Sequence, residues 1–511
     1  MIEWIRKFFT GKLKYNVYSK DVEPEILIQS SIEENLNYLK DTFKESADLT
    51  VREFYIREKK AAIVTIEGMI DKETLATSVM GPILKLKSDE AVSPQREFDY
   101  IRDTVLATSE QVQTEKFSQA INLLMSGFVV FFLDGVASSI AIGIQGFEYR
   151  SISEPVSEVM QKGSREGFVE AIKINMTMIR RRVKNPSLKF ESMTVGEISK
   201  TNVCLCYLTD VVSDTIISEI KKKLKSTDLK YLLAAEYLGS YLEESEDFSV
   251  FSSVGFSERP DTVCGKISEG RVAILIDGTP NAIIVPYLFV EYFQTLDDYS
   301  VRPYFATLTR WLKYLAFFVA TLLPGIYVAL GTFNPEVFPN KLINKIAIAI
   351  GDTPFSLLFE TLIIHFIYEI MREAGLRLPR PLGHAVSIVG ALVIGETAVN
   401  SGLISAPTLM VVALTAISSY VIPNLYESNA ILRFIFIIVG GSLGILGVTL
   451  LFSVILLNIC AKNNFGIPFF APVTPFNFKG MRDVAIRANW KVLSKKYEKI
   501  QNIVDNRTKD N

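Results

Sequence analysis

Three glutamates stand inside sequence that is otherwise apolar enough to enter a bilayer: Glu360, Glu369 and Glu396. A charged side chain at that depth costs about 2.5 kcal/mol or more on insertion scales, so each needs a partner, a proton or water. Glu369 lies beside Arg372 and can reach toward the aqueous boundary. Glu360 and Glu396 are deeper and mark a candidate polar path or ion site, or carboxyls that bond between helices. The stretch around Glu396 is also rich in small and hydroxylated residues: Ser387, Gly390, Ala391, Gly395, Thr397 and, one step on, Asn400. Small faces let helices approach closely, and one such helix per subunit can equally line a shared pore. No nucleophile, base and acid set accompanies these groups. The two histidines are His365, in an apolar segment, and His384, at a loop end. No phosphate loop, dinucleotide fingerprint or zinc spacing occurs, so the expectation is a non-enzyme without cofactor or metal.

These residues need a bundle to hold them. Apolar segments lie near 311–332, 354–371, 385–402, 408–422 and 434–460. Pro324 and Gly325 predict a kink in the first. Arg372, Arg377 and Arg380 follow the second, which puts that loop on the cytoplasmic side. The tail, 462–511, has ten Lys/Arg against four Asp/Glu and belongs on the same side. Five crossings would leave it outside. An even number is expected, four or six, with 342–350 as a candidate extra piece.

The first three fifths of the 511 residues are different, with charges every few positions. Residues 1–20 are interrupted by Glu3, Arg6, Lys7, Lys12 and Lys14, which is not a secretory pattern and fits an exposed or surface-touching helix. The net charge of −2 and the lack of a basic stripe give no reason to expect nucleic acid. Cys204, Cys206, Cys264 and Cys460 are scattered and read as reduced thiols.

The head contains a repeat. GFVVFFLDG at 127–135 matches GRVAILIDG at 270–278, and each reads as strand, Asp-Gly turn, strand. IVTIEGMID at 63–71 and VCLCYLTD at 203–210 each precede a helical pattern. The offsets, 139 positions from Asp71 to Asp210 and 143 from Asp134 to Asp277, argue for tandem units. The expected fold is therefore an α/β soluble head of two tandem related subdomains, followed by an all-α polytopic membrane domain. The expected layout is an N-terminal segment (1–30), subdomain 1 (31–160), a bridging helix (161–200), subdomain 2 (201–300), the bundle (301–461) and the basic tail. Residues 121–144 hold one charge in 24 residues and imitate a membrane span, but a turn-forming Asp134-Gly135 at mid-bilayer would strand backbone groups. The bridging helix ends in Arg180, Arg181 and Arg182, where positive charge favours the helix dipole. These three, with Arg372 and Arg377, are candidate coupling or partner contacts, for an acidic surface or anionic lipid.

Several motifs in order resemble one family. They are SREGF (164–168) with IRRR (179–182), EGRVAILIDGTP (269–280), EYFQTLDDY (291–299), LLPGIYVA (322–329), REAGLRLP (372–379) and ALVIG (391–395). Together they resemble the A subunits of bacterial spore germination receptors, the GerA type, over about residues 30–490. ETAVN (396–400) departs from the family's polar pattern. The resemblance implies the inner membrane of a dormant spore, a transporter-like B subunit and a lipoprotein C subunit as partners, and a homo-oligomeric, ion-conducting role triggered by a nutrient. The alternatives are a non-conducting scaffold or signal relay, and a secondary transporter, against which the lack of inverted repeats argues.

Overall fold

A computed structural model describes residues 25–86, 93–106, 110–146, 155, 158, 160, 162–243, 249–339, 348, 351–378, 393–478, 480–493 and 500. The head holds two five-stranded sheets. The first is built from Leu49–Ile56 (β1), Lys59–Ile66 (β2), Gln111–Thr114 (β3), Phe128–Leu133 (β4) and Ser139–Gly143 (β5), ordered β1-β2-β4-β5-β3. The second uses Leu188–Val195 (β6), Thr201–Leu208 (β7), Gly255–Ser257 (β8), Val272–Ile276 (β9) and Ala282–Val285 (β10), ordered β6-β7-β9-β10-β8. The two orders are the same, and every paired strand is antiparallel.

The span-like run at 121–144 is part helix and part sheet: Phe117–Leu124, then β4 and β5. Strands alternate faces. Ala62, Val64, Val130 and Phe132 pack with Phe117 and Ile121, while Ile63, Val129 and Phe131 pack with Val79, Phe98 and Ile101 on the other side. A strand covered on both faces has no polar side, which is why β4 reads as continuous hydrophobic sequence.

The repeat extends to single hydrogen bonds. Helix α1 (Ile32–Thr42) starts where Ile32 N donates to Asp134 Oδ1 at 3.1 Å, and α3 (Ile172–Arg182) starts where Ile172 N donates to Asp277 Oδ1 at 3.2 Å. Between them in sequence, α2 is Phe117–Leu124. Gly135 and Gly278 follow at φ +87° and +90°, the left-handed region that glycine enters without strain. Their amides donate to Ser30 O and Glu170 O. Asn35 and Asn175 each close a loop by bonding one residue's N–H and C=O, Gln29 and Val169 respectively.

Helix α3 is thus the counterpart of α1. Expected as a bridge, it packs inside the second unit against Phe190, Cys206 and Leu275. Its bridging is done by side chains: Lys173 Nζ donates to Glu67 Oε1 of the first unit at 2.8 Å, and Arg180 reaches further in. Arg180 donates to both Asp48 oxygens of the first unit, at 2.7 and 2.9 Å, and to the carbonyls of Asn185 and Leu188. Helices α4 (Asp214–Lys225) and α5 (Pro260–Ser268) cover opposite faces of the second sheet.

The helical part consists of α6 (Pro303–Phe333), α7 (Leu357–Arg377), a helical stretch at 393–400, α8 (Ala406–Tyr420) and α9 (Tyr426–Ala461). Among the described residues, α6 and the helix ending at Ala461 are long and apolar enough to cross a membrane, and α8 is a shorter apolar helix. Pro324 lies within the unbroken run of α6. Its neighbour Gly325 meets α9 backbone to backbone: a Cβ at Gly440 would sit 2.4 Å from Gly325 O.

A single span was expected at 434–460, and the structure corrects this. Helix α9 is interrupted at Gly444, whose φ of 64° and ψ of −156° are not helical. Ser428, near its start, donates to Val250 O (2.7 Å), while Lys462, just past its end, donates to the adjacent Phe251 O (2.8 Å). A straight helix would hold those two residues about 50 Å apart at 1.5 Å per residue. The chain therefore folds back at Gly444 into two arms, with the apex against Phe333 at the far end of α6. Both arms end at the head, and the tail starts there. Phe465, Ile467, Val484 and Ile500 then enter the core of the second head unit, and Ile500 N donates to Glu269 O.

Candidate functional site in the helical bundle

Helix α7 carries polar residues at helical spacing, and the other helices answer them. Glu360, Thr361 and His365 are fully buried. Glu360 Oε1 accepts from Ser405 N (2.6 Å) and Ser405 Oγ (2.7 Å), at the start of α8. Ser405 Oγ and Thr408 Oγ1 lie 2.9 Å apart, and Tyr327 OH of α6 is 3.1 Å from the same Thr408 oxygen. Three helices, α6, α7 and α8, thus converge on one hydroxyl chain. His365 Nδ1 is 2.9 Å from Thr361 O, so that nitrogen donates, while Nε2 has no partner among the described residues.

Two turns further on, nearer the head, Glu369 gathers a second cluster. It accepts from Tyr426 OH (2.7 Å) and Arg372 Nε (3.3 Å), and Arg433 Nη2 lies 3.3 Å from its other oxygen. The Arg372 guanidinium sits 3.7 Å from the centre of the Tyr426 ring. The pairing with Arg372 was expected. Arg433 was missed, because it immediately precedes the run taken as apolar. It is fully buried, and none of its nitrogens makes a hydrogen bond among the described residues. Asn429 Nδ2, one turn before it, also lacks a partner among the described residues, although its carbonyl accepts from Thr321 Oγ1 (3.2 Å).

The expected pore residues divide. Ser387, Gly390 and Ala391 lie outside the described residues. Gly395 is buried, and a Cβ there would sit 3.4 Å from Leu409 of α8, so its role is close packing. Glu396, Thr397 and Asn400 are exposed. Thr397 and Ser401 line a cavity of about 390 Å³ that Glu360 also borders. Glu396 and Asn400, one turn apart, lie outside that lining.

The candidate partner contacts divide as well. Arg180 is sealed inside the head by Asp48 and is corrected from surface contact to internal tie. Arg181 and Arg182 are half-buried and pair with Glu166. Arg372 belongs to the Glu369 cluster. Arg377 is exposed and pairs with Glu373 one turn away at 2.7 Å.

Head and bundle are joined by charge. Buried Arg310 of α6 donates to Asp298 Oδ2 (2.9 Å) and to Asp483 Oδ1 of the tail (2.8 Å). Tyr299 OH donates to the other Asp483 oxygen at 2.5 Å, and Trp311 Nε1 donates to Ala485 O at 2.9 Å. Just before this joint, Glu291 is buried with Arg271 (2.5 Å) and Lys266. Burial pushes its carboxyl up, but the two cations outweigh burial and hold it below the usual range.

Residues 37–499 match the family profile described as Bacillus/Clostridium GerA spore germination protein. The chain is 35% identical to spore germination protein KA of Bacillus subtilis (strain 168) over 486 residues, covering 94% of this chain and 89% of that one. Spore germination protein GerLA of Bacillus cereus is 30% identical over 478 residues, 93% of this chain and 96% of its own. Among solved structures, the crystal structure of the N-terminal domain of the A subunit of the Bacillus megaterium spore germinant receptor GerK3 is similar at 28% identity. That match covers 52% of this chain and 99% of that chain, with a TM-score of 0.41. The family inferred from the motifs is thereby shown, and the chain belongs to the GerA family of spore germination proteins.

Proposed function

We propose that this chain is the oligomeric, ion-conducting A subunit of a nutrient germinant receptor in the spore inner membrane. It works there with a transporter-like B subunit and a lipoprotein C subunit. Head and tail lie on the cytoplasmic side, and a nutrient held by the complex opens a cation path that starts germination. The observation carrying this reading is the exposure of Glu396 and Asn400 on one stripe of a bundle helix. In lipid a bare carboxylate there would cost about 2.5 kcal/mol or more. Facing a water-filled axis shared by several copies, it costs little and attracts cations. The Arg310, Asp298 and Asp483 joint supports a route by which head movement reaches α6. Spores carrying Glu396→Leu should release potassium more slowly after nutrient addition, at unchanged protein level. Unchanged efflux would favour the second reading, a non-conducting relay whose partner carries the ions, for which the same joint would serve.

A further inference from the structure

The two arms of α9 are short for a membrane. From Ser428 to Gly444, and again from Gly444 to Ala461, the chain runs about 25 Å at 1.5 Å per residue. The hydrocarbon layer of a bilayer is about 30 Å thick. With the apex at one boundary of that layer, the other ends of both arms lie at the opposite boundary and not clear of it. Exposed aromatic side chains stand at the same end of the bundle: Trp311 in the first part of α6, and Tyr420 at the end of α8, just before α9 begins. Amphipathic rings of this kind collect where membrane meets water.

The second head unit is held at that level. Val250 O and Phe251 O accept from Ser428 and Lys462 at the two ends of α9, and Asn464 Nδ2 donates to Ser253 O at 3.2 Å. Beside them, Lys223 of α4 holds its ammonium 4.7 Å from the centre of the Phe465 ring and donates to Leu242 O at 2.7 Å. One ammonium therefore separates the start of the tail from the end of a short helix, Ala235–Leu242. Ala235, Leu238 and Leu242 of that helix enter the core of the unit, while Tyr237 and Tyr241, one turn apart, are exposed. Exposed tyrosines are ordinary on a water-facing surface. Their place beside the mouth of the bundle is what gives these two a partner.

From this we infer that the second head unit rests on the bilayer, with Tyr241 and Tyr237 seated in the phospholipid headgroup layer. The partner is the lipid of the membrane that holds the bundle, and Tyr241 continues onto the head the aromatic belt begun by Trp311 and Tyr420. A tyrosine suits that layer because its ring is apolar and its hydroxyl stays hydrated. The inference rests on the reading that the bundle lies in a bilayer, and it holds whether or not the chain conducts ions.

The test is fluorescence quenching of the full-length chain in nanodiscs. Cys460→Ser leaves only the three buried cysteines, so Tyr241→Cys can carry the one fluorophore. Phosphatidylcholine spin-labelled on its headgroup should quench that fluorophore several-fold relative to unlabelled lipid, and a water-soluble quencher should reach it poorly. Tyr237→Cys reads the same face if the first variant does not fold. Leu450→Cys, exposed on the second arm of α9, should be quenched by lipid spin-labelled in its acyl chain. Quenching at Leu450→Cys with none at Tyr241→Cys would overturn the headgroup contact alone. Absence of quenching at both would overturn it together with the membrane reading of the bundle.

Discussion

Arg180 in the head and Arg433 in the bundle are both buried, and their surroundings could hardly differ more. Arg180 faces a bidentate carboxylate, two carbonyls and the Ser46 hydroxyl, with Phe190 4.9 Å from its guanidinium carbon. Arg433 has one carboxylate oxygen at 3.3 Å and a Tyr368 ring at 5.8 Å. A saturated buried pair fixes a geometry. An unsaturated one leaves donors that water or a rearranged neighbour can take. The contrast teaches that the arginine between the two head units is held by a full set of partners, while the bundle arginine keeps its donors uncommitted among the described residues.

Removing one side of the saturated pair should hurt most. Arg180→Ala leaves Asp48 buried and unpaired, and should cost about 3–5 kcal/mol in chemical denaturation of the detergent-solubilised chain. A loss under 1 kcal/mol, on the scale of a surface ion pair, would erase the contrast.

Glu291→Gln should come next, at about 3 kcal/mol, since it leaves Arg271 and Lys266 without their shared counter-charge. It also sharpens the comparison by pH. The folded carboxyl titrates below its unfolded value of about 4.3, so its contribution is present above that value and lost as pH falls through the lower folded one. Stability measured from pH 6 down to 3 should fall less steeply in the variant than in the parent.

In the bundle, Gly440→Val forces a side chain onto the Gly325 carbonyl and should lower the melting temperature through about 1–3 kcal/mol of overpacking. Arg433→Met should have the smallest effect, within about 1 kcal/mol or even stabilising, because it removes unsatisfied donors along with the charge. A large loss there would mean that Arg433 is satisfied after all, and the two arginines would no longer differ.

How far these features were legible depended on their range along the chain. The Asp-Gly turns announced both hairpins and hence the repeat, because a positive φ leaves a local mark. That Asp134 and Asp277 also anchor the starts of α1 and α3 could not be read, since each partner lies about a hundred residues away. Glu360 and Glu369 stood out as charges in apolar sequence, and both became centres of clusters. Arg433 did not, because it sits at the border of an apolar run, where charge is ordinary. The doubling of α9 was the hardest element. GGSLG (440–444) is glycine-rich, but nothing local says that its last glycine, rather than the first, turns the chain.

That turn has a bearing on how the protein reaches lipid during synthesis. The residues flanking the apex, 434–460, carry no charge at all. On the proposed topology, nothing hydrated has to be pushed across when the two arms enter. They can slide in together as a closed pair, with Val250 and Phe251 waiting at the mouth to receive both ends. A single lysine placed beside Gly444 would make that entry uphill by about 2.5 kcal/mol or more before any folded contact had formed.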